Sequence, residues 1–451
     1  MKKTAVVNVV GLTPEILNRS TFLKTWAGKK NVATIKPQIP AVTCTMQACY
    51  LTGTLPAQHG IVGNGWYFKT EHEIKFWRQS NDLVQGKKIW HVLKEINPAF
   101  TCAYLFWWYN MYADVDFAIT PRPQYHADGL KLPDIYTKPD TLRNDLQKQL
   151  GTFPLFDFWG PRTTIKSTQW IAQAAIEIFK QHSPTLNMVY LPHLDYNFQR
   201  HGNVAQNDTD IIEVDNVCRE LITFYESQQV EVIVLSEYGI TDVNETIHLN
   251  RLFRKNNWLA IRNESGHELL DAGASKVFAV ADHQVAHIYL NDKSIFNEVL
   301  ALLKSNQAIE HVWHGNELLQ QGLQHKRCGD MVCVAKPHAW FTYYYWHNDN
   351  LAPDFAPTVD IHRKPGYDPA ELFINPKIKL PILKAGYTLL KKKLGFRYLM
   401  DVIPMHAEMV KGSHGAVPQS KTQWPIVISN TQKKEVLATD VFDIIKQTIT
   451  G

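Results

Sequence analysis

Short, nearly uninterrupted apolar runs recur along the chain at Ala5 to Val10, Thr101 to Phe106, Leu186 to Leu191, Val230 to Leu235 and Pro425 to Ser429. Runs of this length and composition read as strands buried on both faces, and helix-like stretches follow them. The first run gives way at Gly11-Leu12-Thr13-Pro14-Glu15 to a proline-initiated helix. Ser167 to His182 and Asp208 to Gln228 have amphipathic helical periodicity and feed the third and fourth strands. This alternation predicts an α/β fold with a mostly parallel sheet covered by helices on both faces. Between about 240 and 400 the pattern turns irregular, with Val277 to Leu290 and Met331 to Trp346 reading as strands of a smaller sheet. The expected organisation is therefore one domain over residues 1–451 with a smaller cap inserted within about 240–400. The aromatic clusters Phe106-Trp107-Trp108-Tyr109 and Tyr343-Tyr344-Tyr345-Trp346 fit packing between domain and cap.

With 451 residues, 45% of them hydrophobic, the chain can bury a large core. A net charge of +4 is too slight to argue for a nucleic acid polymer or a membrane surface as partner. The apolar run after Met1-Lys2-Lys3 is too short for a signal-peptide core, and no stretch approaches a bilayer span. Six cysteines lack any framework spacing, which fits reduced thiols and a cytoplasmic location. Nothing in the sequence sets an oligomeric state.

Ligands of such sheets bind beyond the carboxyl ends of the strands. One segment supplies a hydroxyl there: Pro40-Ala41-Val42-Thr43 opens a helix that closes at Thr52-Gly53, followed by Pro56-Ala57-Gln58-His59-Gly60-Ile61-Val62-Gly63-Asn64. Free N–H groups and the dipole at such a helix start favour a phosphoryl group, and the N–H groups after Thr43 are expected to face its oxygens. A second anion-binding candidate is Asp360-Ile361-His362-Arg363-Lys364, where Arg363 and Lys364 offer a clamp and His362 a metal ligand. Asn110 and its aromatic neighbours are candidate substrate contacts. His283 and His287 share a strand-like run and read as core histidines.

The segment from Pro40 to Asn64 resembles the alkaline phosphatase superfamily, in its type I phosphodiesterase / nucleotide pyrophosphatase branch. The resemblance implies a three-layer α/β sandwich, with Thr43 as nucleophile and two zinc ions held by three Asp and three His. Asp195 and His414 match ligand positions, and Glu237 replaces an Asp. Gln199 and Tyr238 stand where the family has His, and His201 lies two residues beyond Gln199. The family's first Asp falls on Val10; Asn8, on the same strand face, offers an amide oxygen instead. Gln199 and Tyr238 then become candidate substrate contacts, and His201 or His362 would complete the metal shell. With Asn, Gln and Glu among the donors, magnesium, manganese or calcium is as compatible as zinc. The implied function is hydrolysis of a small phosphodiester, pyrophosphate or phosphomonoester through a phosphothreonine. Two alternatives stay open: a phosphate-ester-binding protein that has lost the two-zinc chemistry, and a group transferase.

Overall fold

The computed structural model describes residues 1–127, 130–396 and 398–451. Its centre is a nine-stranded sheet built from β1 (Thr4–Val9), β2 (Asn31–Lys36), β3 (Cys102–Leu105), β4 (Phe117–Pro121), β5 (Ile135–Lys138), β6 (Leu186–Leu191) and β7 (Glu231–Leu235), with two further strands from the C-terminal part of the chain. β1 lies between β6 and β7, parallel to both, and the parallel run continues through β3 to β4. Every residue of β1 and β6 is buried, as expected of strands covered on both faces. The covering helices include α1 (Thr43–Thr52), α2 (Ile165–His182), α3 (Leu194–His201) and α4 (Asp208–Ser227).

A smaller four-stranded antiparallel sheet follows, made of β8 (Val277–Asp282), β9 (Val285–Leu290), β10 (Ile309–His314) and β11 (Met331–Ala335), in the order β8-β9-β11-β10. Val277 to Leu290 is thus a hairpin and not one strand. His283 and Gln284 form its turn, and His283 takes the left-handed conformation at φ 60°. Tyr343, Tyr344, Tyr345 and Trp346 are buried in the core of this sheet, as packing aromatics. The chain then passes through α5 (Pro381–Lys393), returns to the large sheet as β12 (Ile426–Ser429) and β13 (Glu435–Leu437), and ends in α6 (Asp440–Thr450). β12 is antiparallel to both β2 and β7, so the run Pro425 to Ser429 interrupts the parallel order. The result is a mostly parallel sheet between helical layers, with β1, β6 and β7 sending their carboxyl ends to one place.

Candidate active site

Thr43 is the first residue of α1, and the helix begins on a bond from Met46 N–H to the Val42 carbonyl. Its side chain is only 4% exposed. The hydroxyl lies 3.1 Å from the Tyr238 phenol oxygen. The chain turns away after α1 at Gly53, φ +65°, where Phe442 packs against the glycine.

Asp195 sits in the first turn of α3, just past β6, where the helix dipole favours a carboxylate. Gln199, four residues on and hence on the same face, donates from Nε2 to Asp195 Oδ2 at 2.9 Å. The Tyr367 phenol donates in turn to Gln199 Oε1 at 2.8 Å, which fixes the amide's orientation. Tyr238 donates a longer bond to Asp195 Oδ1 at 3.4 Å, so its phenol links Thr43 and Asp195. His414 reaches this group because Gly412 passes close to α3: a Cβ at Gly412 would lie 2.0 Å from the Phe198 carbonyl oxygen. The His414 ring stacks on Tyr238 with centroids 3.6 Å apart and 6° between planes, and on its other side lies His283, also at 3.6 Å. His414 Nδ1 donates to the Ala41 carbonyl at 2.9 Å, which leaves the lone pair on Nε2 facing Asp195 Oδ1 at 3.8 Å. Burial holds this imidazole neutral, its pKa lowered to about 3, so the contact is not an ion pair.

Glu237 completes the cluster two residues past β7. Its Oε1 accepts from Asn8 Nδ2 at 2.6 Å and from Gln47 Nε2 at 2.5 Å, while Oε2 has no partner. Gln47 is one helical turn from Thr43, and its own oxygen accepts from Trp108 N–H at 2.7 Å. Burial raises the Glu237 carboxyl to about 8 and that of Asp195 to about 7. No lysine or arginine contributes to either shift.

Thr43, Asp195, Glu237, His414, Asn8, Gln199 and Tyr238 are therefore brought together, and other expected members are not. His201 is six residues past Asp195 on a helix, about 240° round the axis, and faces away. It lines a surface cavity of about 610 Å³ with Arg200, Glu408 and Lys411. His362 is exposed, 6.4 Å from the Tyr125 ring, and Arg363 is exposed beside Asp360 at 3.5 Å. Lys364 is no anion clamp: it is buried, with Nζ 2.8 Å from both Asp368 and Glu371. Asn110 is buried and donates to the Tyr104 carbonyl at 2.7 Å, a bond that shapes its own loop. The Cys44 N–H, expected to face an anion, donates to Asn64 Oδ1 at 3.0 Å, and Asn64 is held by Asp282. Gln47, Tyr367 and His283 belong to the site, although the motifs did not single them out for it; helical spacing from Thr43 was the available signal for Gln47. A separate group lies beside α3, where His193 Nε2 is 3.0 Å from Asp210 and 3.2 Å from Glu213.

A hydroxyl at a helix start, with carboxylates and an imidazole gathered at the ends of parallel strands, defines a phosphoric ester hydrolase of the alkaline phosphatase superfamily. Residues 4–368 match the profile of type I phosphodiesterase / nucleotide pyrophosphatase, and the chain belongs to that family. No curated protein sequence matches the chain. Among solved structures, murine ectonucleotide pyrophosphatase / phosphodiesterase 5, as an inactive variant in complex with AMP, is similar at 15% identity and TM-score 0.59, covering 100% of this chain and 95% of that one. Phosphonoacetate hydrolase from Sinorhizobium meliloti 1021, in complex with phosphonoformate, is similar at 13% identity and TM-score 0.61, covering 100% and 96%.

The donor set does not fit the two zinc ions that the resemblance implies. Two of the nitrogen ligands are replaced, by an amide and a phenol that the site's own hydrogen bonds already occupy. Asp195 and His414 present ligand atoms 3.8 Å apart, but those of Asp195, Glu237 and His414 do not all lie within 4.8 Å of one another as they stand; among the described residues the group that meets that spacing is His193, Asp210 and Glu213. Among the described residues Asp195 and Glu237 have no basic partner, and Glu237 Oε2, Asn8 Oδ1 and His414 Nε2 are buried atoms without a hydrogen bond, the kind of unsatisfied oxygen and nitrogen donors that a single divalent cation takes.

Proposed function

We propose that the chain hydrolyses a phosphodiester, pyrophosphate or phosphomonoester through a phosphothreonine on Thr43, in the presence of one divalent cation held by Asp195, Glu237, His414 and Asn8. The observation that supports this reading best is the hydrogen-bonded chain from Thr43 Oγ1 through Tyr238 to Asp195, with His414 against it. Tyr238, whose pKa burial raises well above the usual phenol range, stays protonated and orients the Thr43 oxygen. That oxygen attacks phosphorus as its proton passes to solvent; the bond to the leaving alcohol or nucleotide breaks, and its oxygen departs with the electron pair and takes up a proton from solvent in exchange. Water then cleaves the phosphothreonine and releases phosphate or a phosphomonoester. A bound divalent cation lowers the pKa of the attacking hydroxyl and offsets charge on the phosphoryl oxygens. Gln199, paired to Asp195 and Tyr367, keeps that carboxylate aimed and leaves less room for a second ion.

Metal analysis of the purified protein, with turnover of p-nitrophenyl phosphate and its bis-ester, tests the proposal. Chelation is expected to abolish turnover, and Thr43→Ala to lower kcat at least ~10³-fold. Full activity in Thr43→Ala would sink it. A second reading, phosphate-ester binding without turnover, is favoured by Gln199 and Tyr238 at two nitrogen-ligand positions. It predicts metal-free protein that binds phosphate esters and never releases p-nitrophenol.

A further inference from the structure

We propose that the excursion carrying α5 docks on an anionic phospholipid surface. The whole-chain charge argued against a membrane partner, but charge is not spread evenly. Between Glu371 and Asp401 there is no acidic residue, and the stretch holds six lysines, Lys377, Lys379, Lys384, Lys391, Lys392 and Lys393. Its ends are tied together where Asn375 N–H donates to the Val402 carbonyl at 2.8 Å, so the segment leaves the body and returns at one point.

Within it, α5 buries only Thr388. At 100° per residue, Leu389, Ile382, Gly386, Leu390, Leu383 and Tyr387 fall within an arc of about 160°. That arc faces outward: Ile382 is 85% exposed and Leu383 65%. Leu394 and Phe396, each 63% exposed, extend the apolar surface beyond the helix. Lys384 and Lys391 border the arc on one side and Lys392 on the other, with Lys393 at its C-terminal end. Lys384 is held by Asp401 at 2.8 Å, whereas no carboxylate pairs with Lys377, Lys379, Lys391, Lys392 or Lys393 among the described residues. Exposing so many large aliphatic side chains costs free energy unless an apolar medium receives them. A lysine border with no acid suits an interface whose apolar layer lies just beneath a negatively charged one, the arrangement of a phospholipid headgroup region. Since no helix of the described residues is long and apolar enough to cross a membrane, the contact is one of lying on the surface.

The test is flotation of the full chain with phosphatidylcholine vesicles and with vesicles of phosphatidylcholine and phosphatidylserine in equal parts, at low and high salt. Binding is expected only to the anionic vesicles, weakening with salt. Removing the charges in Lys391→Gln/Lys392→Gln/Lys393→Gln should weaken it by on the order of fivefold per lysine. Leu383→Ser/Leu390→Ser should weaken it about tenfold or more. Both variants should keep the wild-type circular dichroism and the turnover of soluble substrate. Equal binding to neutral vesicles, no binding to either, or binding unaffected by both variants would overturn the proposal. So would a concentration-dependent dimer that Leu383→Ser/Leu390→Ser dissolves, which would make a second copy the occupant. RNA binding lost with the lysines but kept without the leucines, in protein that does not float, would overturn it as well.

Discussion

Two buried carboxylate pairs in this protein are neutralised in different ways. In the cap region, Asp368 and Glu371 share Lys364, whose pKa rises because the two acids overcome the effect of its burial. Trp159 completes that cluster by donating to Glu371 Oε2 at 2.5 Å. At the strand ends, the donors to Asp195 and Glu237 among the described residues are amides and a phenol, and burial drives both toward the protonated form. The chain supplies its own cation to one pair and withholds it from the other. A buried acid pair without a basic residue is stable either protonated or with an ion from solution, and that choice is why the proposed reaction is assigned to the strand-end pair.

Removing the internal cation should have the largest effect. Lys364→Met leaves two buried carboxylates without their charge partner and is expected to cost about 3–5 kcal/mol in denaturant unfolding. A loss below about 1 kcal/mol would mean that the two clusters are not electrostatically distinct. Supplying the missing cation should act in the opposite direction. A divalent ion at 100 times its Kd is expected to stabilise the wild type by about 2.7 kcal/mol, and Glu237→Gln should abolish most of that gain. Calorimetry with magnesium, manganese, calcium and zinc in turn shows which ion does so.

The metal-free protein offers a third, smaller comparison. Glu237 titrates at about 8 when folded, against 4.5 in its ordinary state, and Asp195 and Asp282 at about 7 against 3.8. The folded state thus keeps protons that the unfolded chain has released, so stability falls as pH rises toward 8. His414 and His59, lowered to about 3, His248 and His287, lowered to about 4, and His283, lowered well below the usual imidazole range, act in the opposite sense, an effect that fades as pH rises past their ordinary value of 6.5. From pH 7 to 8 the histidine effect fades while Glu237 still holds its proton, so the contribution of Glu237 is the one that a single substitution isolates. Chelated wild-type protein should lose thermal stability across that interval, and Glu237→Gln should flatten the loss; a slope unchanged in that variant assigns it elsewhere.

The strands of the large sheet were legible because a strand buried on both faces is a continuous apolar run. A helix start beyond the first strands led to Thr43, the family resemblance led to Asp195 and His414, and strand parity led to Asn8. The cap was less legible. The turn of the β8–β9 hairpin is His283-Gln284, with no glycine or asparagine to mark it, and His283 itself adopts the positive φ. This turn carries His283 to His414 and away from the strand face shared with His287, which accepts no such role and contacts the Val62 carbonyl at 2.9 Å. Lys364 read as an anion clamp because a cation in a turn-rich stretch exposes no partner to sequence inspection, although Asp368 stood four residues away. The apolar face of α5 escaped notice for a related reason: the periodicity is plain, but whether it faces a core or solvent depends on packing that sequence does not show.

The smallest expected effect comes from two histidines that the sequence offered as ligands. In α3, Asp195 and Gln199 are separated by four residues and share a face, while His201 falls about 240° from Asp195 and cannot swing round without unwinding the helix. His362 lies beside Lys131 and Asp360 on the exposed turn that also carries Arg363, and nothing there connects it to Glu237 or His414. His201→Ala and His362→Ala are each expected to leave bound metal and kcat/KM within about twofold of the wild type, since substitutions at such surface positions shift free energies by less than about 0.5 kcal/mol. His414→Ala, measured beside them, should lose the metal, because its Nε2 has no hydrogen bond and lies 3.8 Å from Asp195 Oδ1. A metal content that falls in His201→Ala and holds in His414→Ala would invert the assignment and place the ion on the outer face of α3.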